Sequence, residues 1–225
     1  TINMMQNIPL NDFALDILKK AEWFVTDENY KAVKLQGENQ LGKADKWTNH
    51  DYMKKIMSMG KSHNGFPECS ASYSFGQGQL NFSTNAGESV GEVAYYQQKF
   101  MKEIQTVFNL KRNALFSVYP PGGFISWHNN ANASAYNFIF TYSETGDGYW
   151  EHWDTKEKKV TRIQDMKGWQ CKAGYFGAYE DPADRLVYHC AKNGTSGLRM
   201  TIAFVLERSE LSSGLQEWVI EDIHS

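Results

Sequence analysis

Apolar residues return at helical spacing twice in the first half of the chain. Leu10, Phe13, Ala14, Ile17, Leu18, Ala21 and Trp23–Phe24 fall on one side of a helix over 10–24, with Asn11 or Asp12 placed to cap its start. Over 88–108, Val90, Val93, Ala94, Phe100, Met101, Ile104 and Phe108 do the same, and this best helix of the chain is expected to back a sheet. A shorter helix is expected over 51–61, stopped at Gly60, its three methionines filling gaps in a core or lid. Polar residues 31–49, with Gly37 and Gly42, read as a loop over the mouth of a site. Over 65–85, Tyr73 with Phe75 and Leu80 with Phe82 flank a Gly-rich turn and predict two short strands.

From 112 onward the spacing changes. ALFSVY, FISWH, AYNFIFTYS, GYWEHWD, KKVTRIQ, GWQCKAGYFGAY, RLVYH and RMTIAFVLE are strand-like runs separated by Gly, Pro, Asn or Asp. The helices all come early, so these runs predict an all-β core and not a βαβ alternation. The fold class is therefore mainly β with N-terminal helices. A single domain over 1–225 is expected, with helical and mixed support over about 1–110, the β core over about 112–207 and an extension over 208–225 that forms a short helix or an added edge.

Composition narrows the function classes. The 225 residues are 41% hydrophobic and 14% aromatic, enough for a sizeable core. The net charge of -3 and pI near 6.1 carry no global basic signature, so duplex nucleic acid is not a favoured partner. No run has membrane-spanning length. The first twenty residues lack the basic start and compact apolar core of a secretory signal. Cys69, Cys171 and Cys190 have no paired spacing, which points to a reducing compartment. A soluble, cytoplasmic protein is the expectation. The GQGQ run at 76–79 lacks the Lys-Ser/Thr of a phosphate-binding loop.

The chemistry centres on YPPGGFISWHNN, 119–130, where a strand breaks at Pro120–Gly123, resumes, and ends on His128. His189 follows about sixty residues later and Arg199 ten residues after that. The spacing suggests strands returning to one pocket, which could hold a metal between two imidazoles and an anion on the guanidinium. If Arg199 alternates with Thr201 and Ala203 it points inward. A buried guanidinium without a fixed acid beside it wants a carboxylate, which its planar fork matches. Tyr119 or Tyr136 could donate a phenol to the same anion. Gly122–Gly123 would let the backbone pass close to the site. Trp127, Tyr149, Trp150, Trp153 and Trp169 either fill the core or form a flat aromatic mouth, with Asn129 and Asn132 adding amides. His152 reads as a packing or solvent-facing residue. His50, His63 and His224 have no partner motif.

Residues 112–207 resemble the iron(II)- and 2-oxoglutarate-dependent oxygenases, which have a double-stranded β-helix (jelly-roll, cupin-like) fold. The family's proximal His falls on His128, its acidic metal ligand on Asn130, its distal His on His189, and the residue that pairs with the co-substrate carboxylate on Arg199. The resemblance implies iron(II), 2-oxoglutarate as co-substrate, molecular oxygen, and hydroxylation of an organic or peptide-like substrate. Asn130 departs from the motif. Its amide is a neutral and weaker ligand, and it is larger than the Gly or Ala of the family's halogenases, which disfavours a halide site. Asp147, Glu151 or Asp154 could reach the metal from the next hairpin instead. Two other readings stand beside this one: a cupin-like binding module without redox activity, and a cupin-type metalloenzyme that does not use 2-oxoglutarate.

Overall fold

A computed structural model of the chain describes residues 5–75, 87–132 and 135–225, with the side chains of 87–90 excepted. Three short strands, β1 (Gln6–Ile8), β2 (Leu35–Gln36) and β3 (Ser70–Ser74), precede eight that form the core. These are β4 (Arg112–Tyr119), β5 (Phe124–His128), β6 (Tyr136–Ser143), β7 (Tyr149–Asp154), β8 (Lys159–Gln164), β9 (Gly168–Tyr175), β10 (His189–Lys192) and β11 (Arg199–Leu206). One sheet runs β1-β9-β6-β11-β4 and the other β5-β10-β7-β8, every pairing antiparallel, with β3 bonded to both β4 and β5. Among the eight core strands, every connection except the β7–β8 hairpin crosses from one sheet to the other. That crossing order is a double-stranded β-helix, the jelly-roll core expected of 112–207.

The helices lie on the outer face of the larger sheet. They are α1 (Asp12–Leu18), α2 (Ala44–Thr48), α3 (His50–Met59), α4 (Gly87–Phe108), α5 (Arg208–Leu211) and α6 (Leu215–His224), with a 3-10 segment over Lys19–Ala32; of these, α2 and α3 cover the smaller sheet instead. Asn11 caps α1 by accepting from the Ala14 amide, and Gly60, at φ 54°, ends α3. Strand alternation sorts the larger sheet. Phe116, Phe138, Phe140, Cys171, Met200, Ile202 and Phe204 face α1, α4 and α6. Leu115, Ile139 and Ala203 face the interior, against Trp150, Phe176 and Ala191.

Several expectations shift. The loop of 31–49 contains β2 and α2. The second strand expected around Leu80–Phe82 lies outside the described residues. The strand expected to end on His189 instead begins there. The C-terminal extension is two helices and not an edge strand. No helix among the described residues is long and apolar enough to cross a membrane.

Phe116 joins the sheet to the helices. Its ring meets Phe24, Phe75 and Phe100 at centroid distances of 4.8, 5.2 and 6.3 Å. Phe116→Ala is expected to lower unfolding free energy by about 3–5 kcal/mol, through lost burial and the cavity left behind. A urea titration reads this, and a loss under about 1 kcal/mol would mean that the helices repack over the gap.

Candidate functional site

His128 ends β5 and His189 opens β10, and the two are direct cross-strand partners. Their ring centroids are 4.1 Å apart with planes at 54°. This meeting depends on a bulge. Between His189 and Ala191 β10 advances two residues, while β5 advances three, from His128 to Ile125. In regular alternation His128 would share a face with Phe124, which packs outward against Ala44 of α2. The extra residue returns His128 to the face of Ile125, inside the barrel, and sends Trp127 out toward Met53 and Ile56 of α3. Trp127 is fully buried there and donates to the Thr48 carbonyl at 3.0 Å.

Each imidazole is held the same way. Nδ1 of His128 lies 2.7 Å from the Ser126 carbonyl oxygen, and Nδ1 of His189 lies 2.7 Å from that of Val187. A carbonyl only accepts, so Nδ1 carries the proton and the Nε2 lone pair is left for a ligand. Burial pushes the His128 pKa down to about 4, with the charge of His63 adding to it. His189 is held well below its ordinary value by burial, then by His128. Both rings are neutral at pH 7, the state in which imidazole binds metals. Phe176 and Trp150 pack on His189 at 4.7 and 5.6 Å.

The turn after His128 is clamped from outside the barrel. Asn130 and Ala131 are left-handed, at φ 67° and 51°. The Gly65 carbonyl accepts from the Asn129 and Asn130 amides at 3.1 and 2.7 Å. A side chain at Gly65 would collide with Ala131 and with the Asn129 amide oxygen. Asn129 accepts from the Ala131 amide and Asn132 from the Tyr179 amide, and the Tyr179 hydroxyl donates to the His63 carbonyl at 2.6 Å. Asn130 lines the same cavity as both histidines.

The acids considered as alternative ligands are engaged elsewhere. Glu151 points away from the histidines, accepting from Arg162 Nε at 2.9 Å and lying 3.1 Å from His50 Nε2. Asp154 caps the β7–β8 turn by accepting from the Lys156 and Glu157 amides. Asp147 bonds Thr145 and Ser196 at the surface. Among the described residues no three His, Cys, Asp or Glu side chains come together as a metal-binding group. His152 packs on Trp150 at 4.9 Å and does not line the cavity.

Arg199 does face inward, buried at 1% exposure and lining the cavity with Tyr119 and Thr201. The expectation that it lacks a fixed acid is corrected. Asp165, in the β8–β9 turn and itself buried, accepts from Arg199 Nε at 2.7 Å and Nη2 at 3.2 Å. Nη1 donates to the Thr201 hydroxyl at 3.0 Å. Three of the five guanidinium N–H groups are thus used, leaving one on each Nη. Gly148 makes room for this pair, since a Cβ there would sit 2.5 Å from Asp165 Oδ2. Tyr119 lies beneath the guanidinium, its ring centroid 5.7 Å away, and burial pushes its phenol up to about 12.

Tyr136 is a second correction. The alternation of β6 places it with Phe138 and Phe140 on the helix-covered face, away from Arg199. Gly123 passes close to the Ala71 carbonyl of β3, not to the histidines. Of the aromatics expected at a mouth, only Trp150 lines the cavity; Trp153 and Trp169 pack in the outer cores. The cavity holds about 810 Å³ and runs from the histidines and Arg199 out past Phe66 to Gln97, Met101 and Gln105 of α4. Asp165, Gly65 and Tyr179 had no motif to mark them. A fourth such residue, Lys172, is fully buried on the inward face of β9.

No protein-family model matches the chain, and no curated protein matches it. Solved structures similar to it include a viral collagen prolyl hydroxylase, vCPH from Paramecium bursaria Chlorella virus-1 in a 2OG complex, at 12% identity. That match covers 91% of this chain and 97% of that one, with a TM-score of 0.39. A Pseudomonas putida prolyl-4-hydroxylase is similar at 11% identity over 72% of this chain and 89% of that one, TM-score 0.34. A prolyl hydroxylase from Trichoplax adhaerens, in complex with a hypoxia inducible factor peptide fragment, is similar at 11% identity over 93% and 86%, TM-score 0.41.

The neutral buried imidazoles set a pH limit for the metal-free protein. Unfolded histidine protonates near 6.5, whereas folded His128 does so only near 4. The unfolded state therefore binds more protons over this window, and stability falls as pH drops from about 6.5 to 4. The His128 share approaches roughly 3 kcal/mol at the lower end. His128→Asn is expected to flatten this acid limb in urea melts taken across the window, and an unchanged limb would count against the assignment.

Proposed function

We propose that this protein is an iron(II)- and 2-oxoglutarate-dependent oxygenase that hydroxylates an organic or peptide-like substrate. The observation that carries the reading is the paired imidazoles: both Nδ1–H groups are tied to backbone carbonyls, so both Nε2 lone pairs serve one cavity that Arg199 also lines. Two neutral imidazoles suit iron(II), and their backbone hydrogen bonds fix ring orientation as outer-shell contacts do in metal sites. The donor set fits with His128 and His189 as ligands and the Asn130 amide oxygen, from the same cavity wall, as the candidate for a third. Bound there, the metal would supply oxygen activation coupled to decarboxylation of 2-oxoglutarate.

The protein's own part is placement. Arg199, steered by Asp165 and Thr201, offers its two remaining N–H groups to the far carboxylate of 2-oxoglutarate. Trp150 and Phe176 wall His189 and exclude water from it. The outer cavity beside α4, lined there by Gln97, Gln98, Lys102, Gln105, Lys111 and Arg112 around Met101, gives the substrate room and polar partners.

Anaerobic titration of iron(II)-loaded protein with 2-oxoglutarate is expected to give a weak visible charge-transfer band, lost in His128→Ala and His189→Ala. A folded wild type that gives no band at saturating metal and co-substrate would overturn the proposal. Asn130→Asp is expected to tighten metal binding several-fold, and no change would remove Asn130 from the ligand set.

A further inference from the structure

The Arg199–Asp165 pair raises a question of charge. A guanidinium already matched by a buried carboxylate is neutral as a unit, and a second carboxylate entering beside it would be an uncompensated buried anion. Another cation is needed close by, and β9 carries one. Lys172 has no exposed surface, and its ammonium nitrogen has no hydrogen-bond partner among the described residues. Buried polar groups are nearly always bonded, so an orphaned ammonium calls for an explanation.

Its place in the sheet supplies one. Cross-strand register runs Lys172 to Ile139 to Ala203, and the last two line the cavity. One row over lie Thr141 and Thr201, of which Thr201 holds Arg199 while the Thr141 hydroxyl has no partner among the described residues. Orphaned donors from β9 and β6 and the unused Arg199 N–H groups from β11 thus share one inner face.

We propose that Lys172 is the cation that receives the far carboxylate of 2-oxoglutarate, with the outer Arg199 N–H groups beside it and Asp165 acting to position Arg199 and cancel its charge. This rests on the co-substrate reading above. It adds that anion binding is linked to a proton. Burial and the Arg199 charge bring the Lys172 pKa down to about 8, against the opposing pull of Asp165. An incoming carboxylate favours the ammonium, so affinity is full below that value and falls as pH rises through it. The groups facing Lys172 leave the window clear. Arg199 and Asp165 are ion-paired with each other, Cys171 and Tyr119 are pushed up to about 12, β6 offers Ile139 and Thr141, and β1 pairs Asn7 opposite.

Calorimetric titration of Mn(II)-loaded protein with 2-oxoglutarate, and of metal-free protein with glutarate, between pH 7 and 9.5 tests this. Wild-type affinity is expected to fall on the order of tenfold per pH unit above about 8, while Lys172→Met binds at least tenfold more weakly at pH 7 and shows no such slope. Lys172→Gln serves if the Met variant does not fold. Binding of 2-oxoglutarate with unchanged affinity and slope in the folded variants would overturn the Lys172 assignment and leave the co-substrate reading standing. Glutarate binding that depends on Lys172, with no binding of 2-oxoglutarate, would do the reverse. Binding of neither carboxylate by wild type would overturn both.

Discussion

The pairing of β5 with β10, with one extra residue in β5, is the constraint on which the site depends. It sets His128 opposite His189 and turns both rings to the same side. Remove the extra residue and His128 would exchange places with Trp127, an imidazole for an indole on opposite faces of one strand. The flanking backbone then does the chemical work. Each ring is bonded to a carbonyl two residues upstream, so the tautomer is dictated locally by the strand and needs no acid partner. At a centroid distance of 4.1 Å two imidazolium rings would repel strongly, and burial makes both protonations costly.

Much of this was legible before the structure. Helical spacing marked α1, α3 and α4, and strand-like runs punctuated by Gly and Pro marked seven of the eight core strands; the run expected to end on His189 lies ahead of β10, which begins there. What failed was face assignment. Alternation cannot reveal a bulge, so the sequence left the tryptophan beside His128 open between core and mouth; it is a core residue against α3. In GWQCKAGY, Gln170 and Lys172 alternate with Trp169, Cys171 and Ala173, which reads as a strand with one wet face. In a closed β-helix that polar face is the interior, and Lys172 is buried completely. Asp165, in QDMKG, looked like any turn acid; only the fold brings it under Arg199.

The polar interior is best understood as a sum of charges. The histidines are neutral, Arg199 and Asp165 cancel, Asn130 is neutral, and Lys172 is left as a cation without a counter-ion. An orphaned ammonium is costly to bury, and burial together with the Arg199 charge brings its pKa down to about 8. A dicarboxylate would bring one negative charge for the metal end of the cavity and one for the Lys172 end. Charge count and orphaned donors therefore point to the same kind of ligand as the paired imidazoles do.

Asn130 fits into the same sum. Its left-handed conformation, held by the Gly65 carbonyl, is one that Asn and Asp both adopt readily, so the turn does not by itself explain why the carboxylate is missing. The electrostatic consequence is the more informative part. A divalent ion held by two imidazoles and an amide keeps its full charge in a buried site and is bound weakly on its own. A carboxylate from the co-substrate would then supply at the metal what the protein lacks. By linkage, each ligand would raise the affinity of the other by the same factor, so on the proposed reading a neutral residue at 130 would make metal retention depend on the dicarboxylate more than an aspartate would.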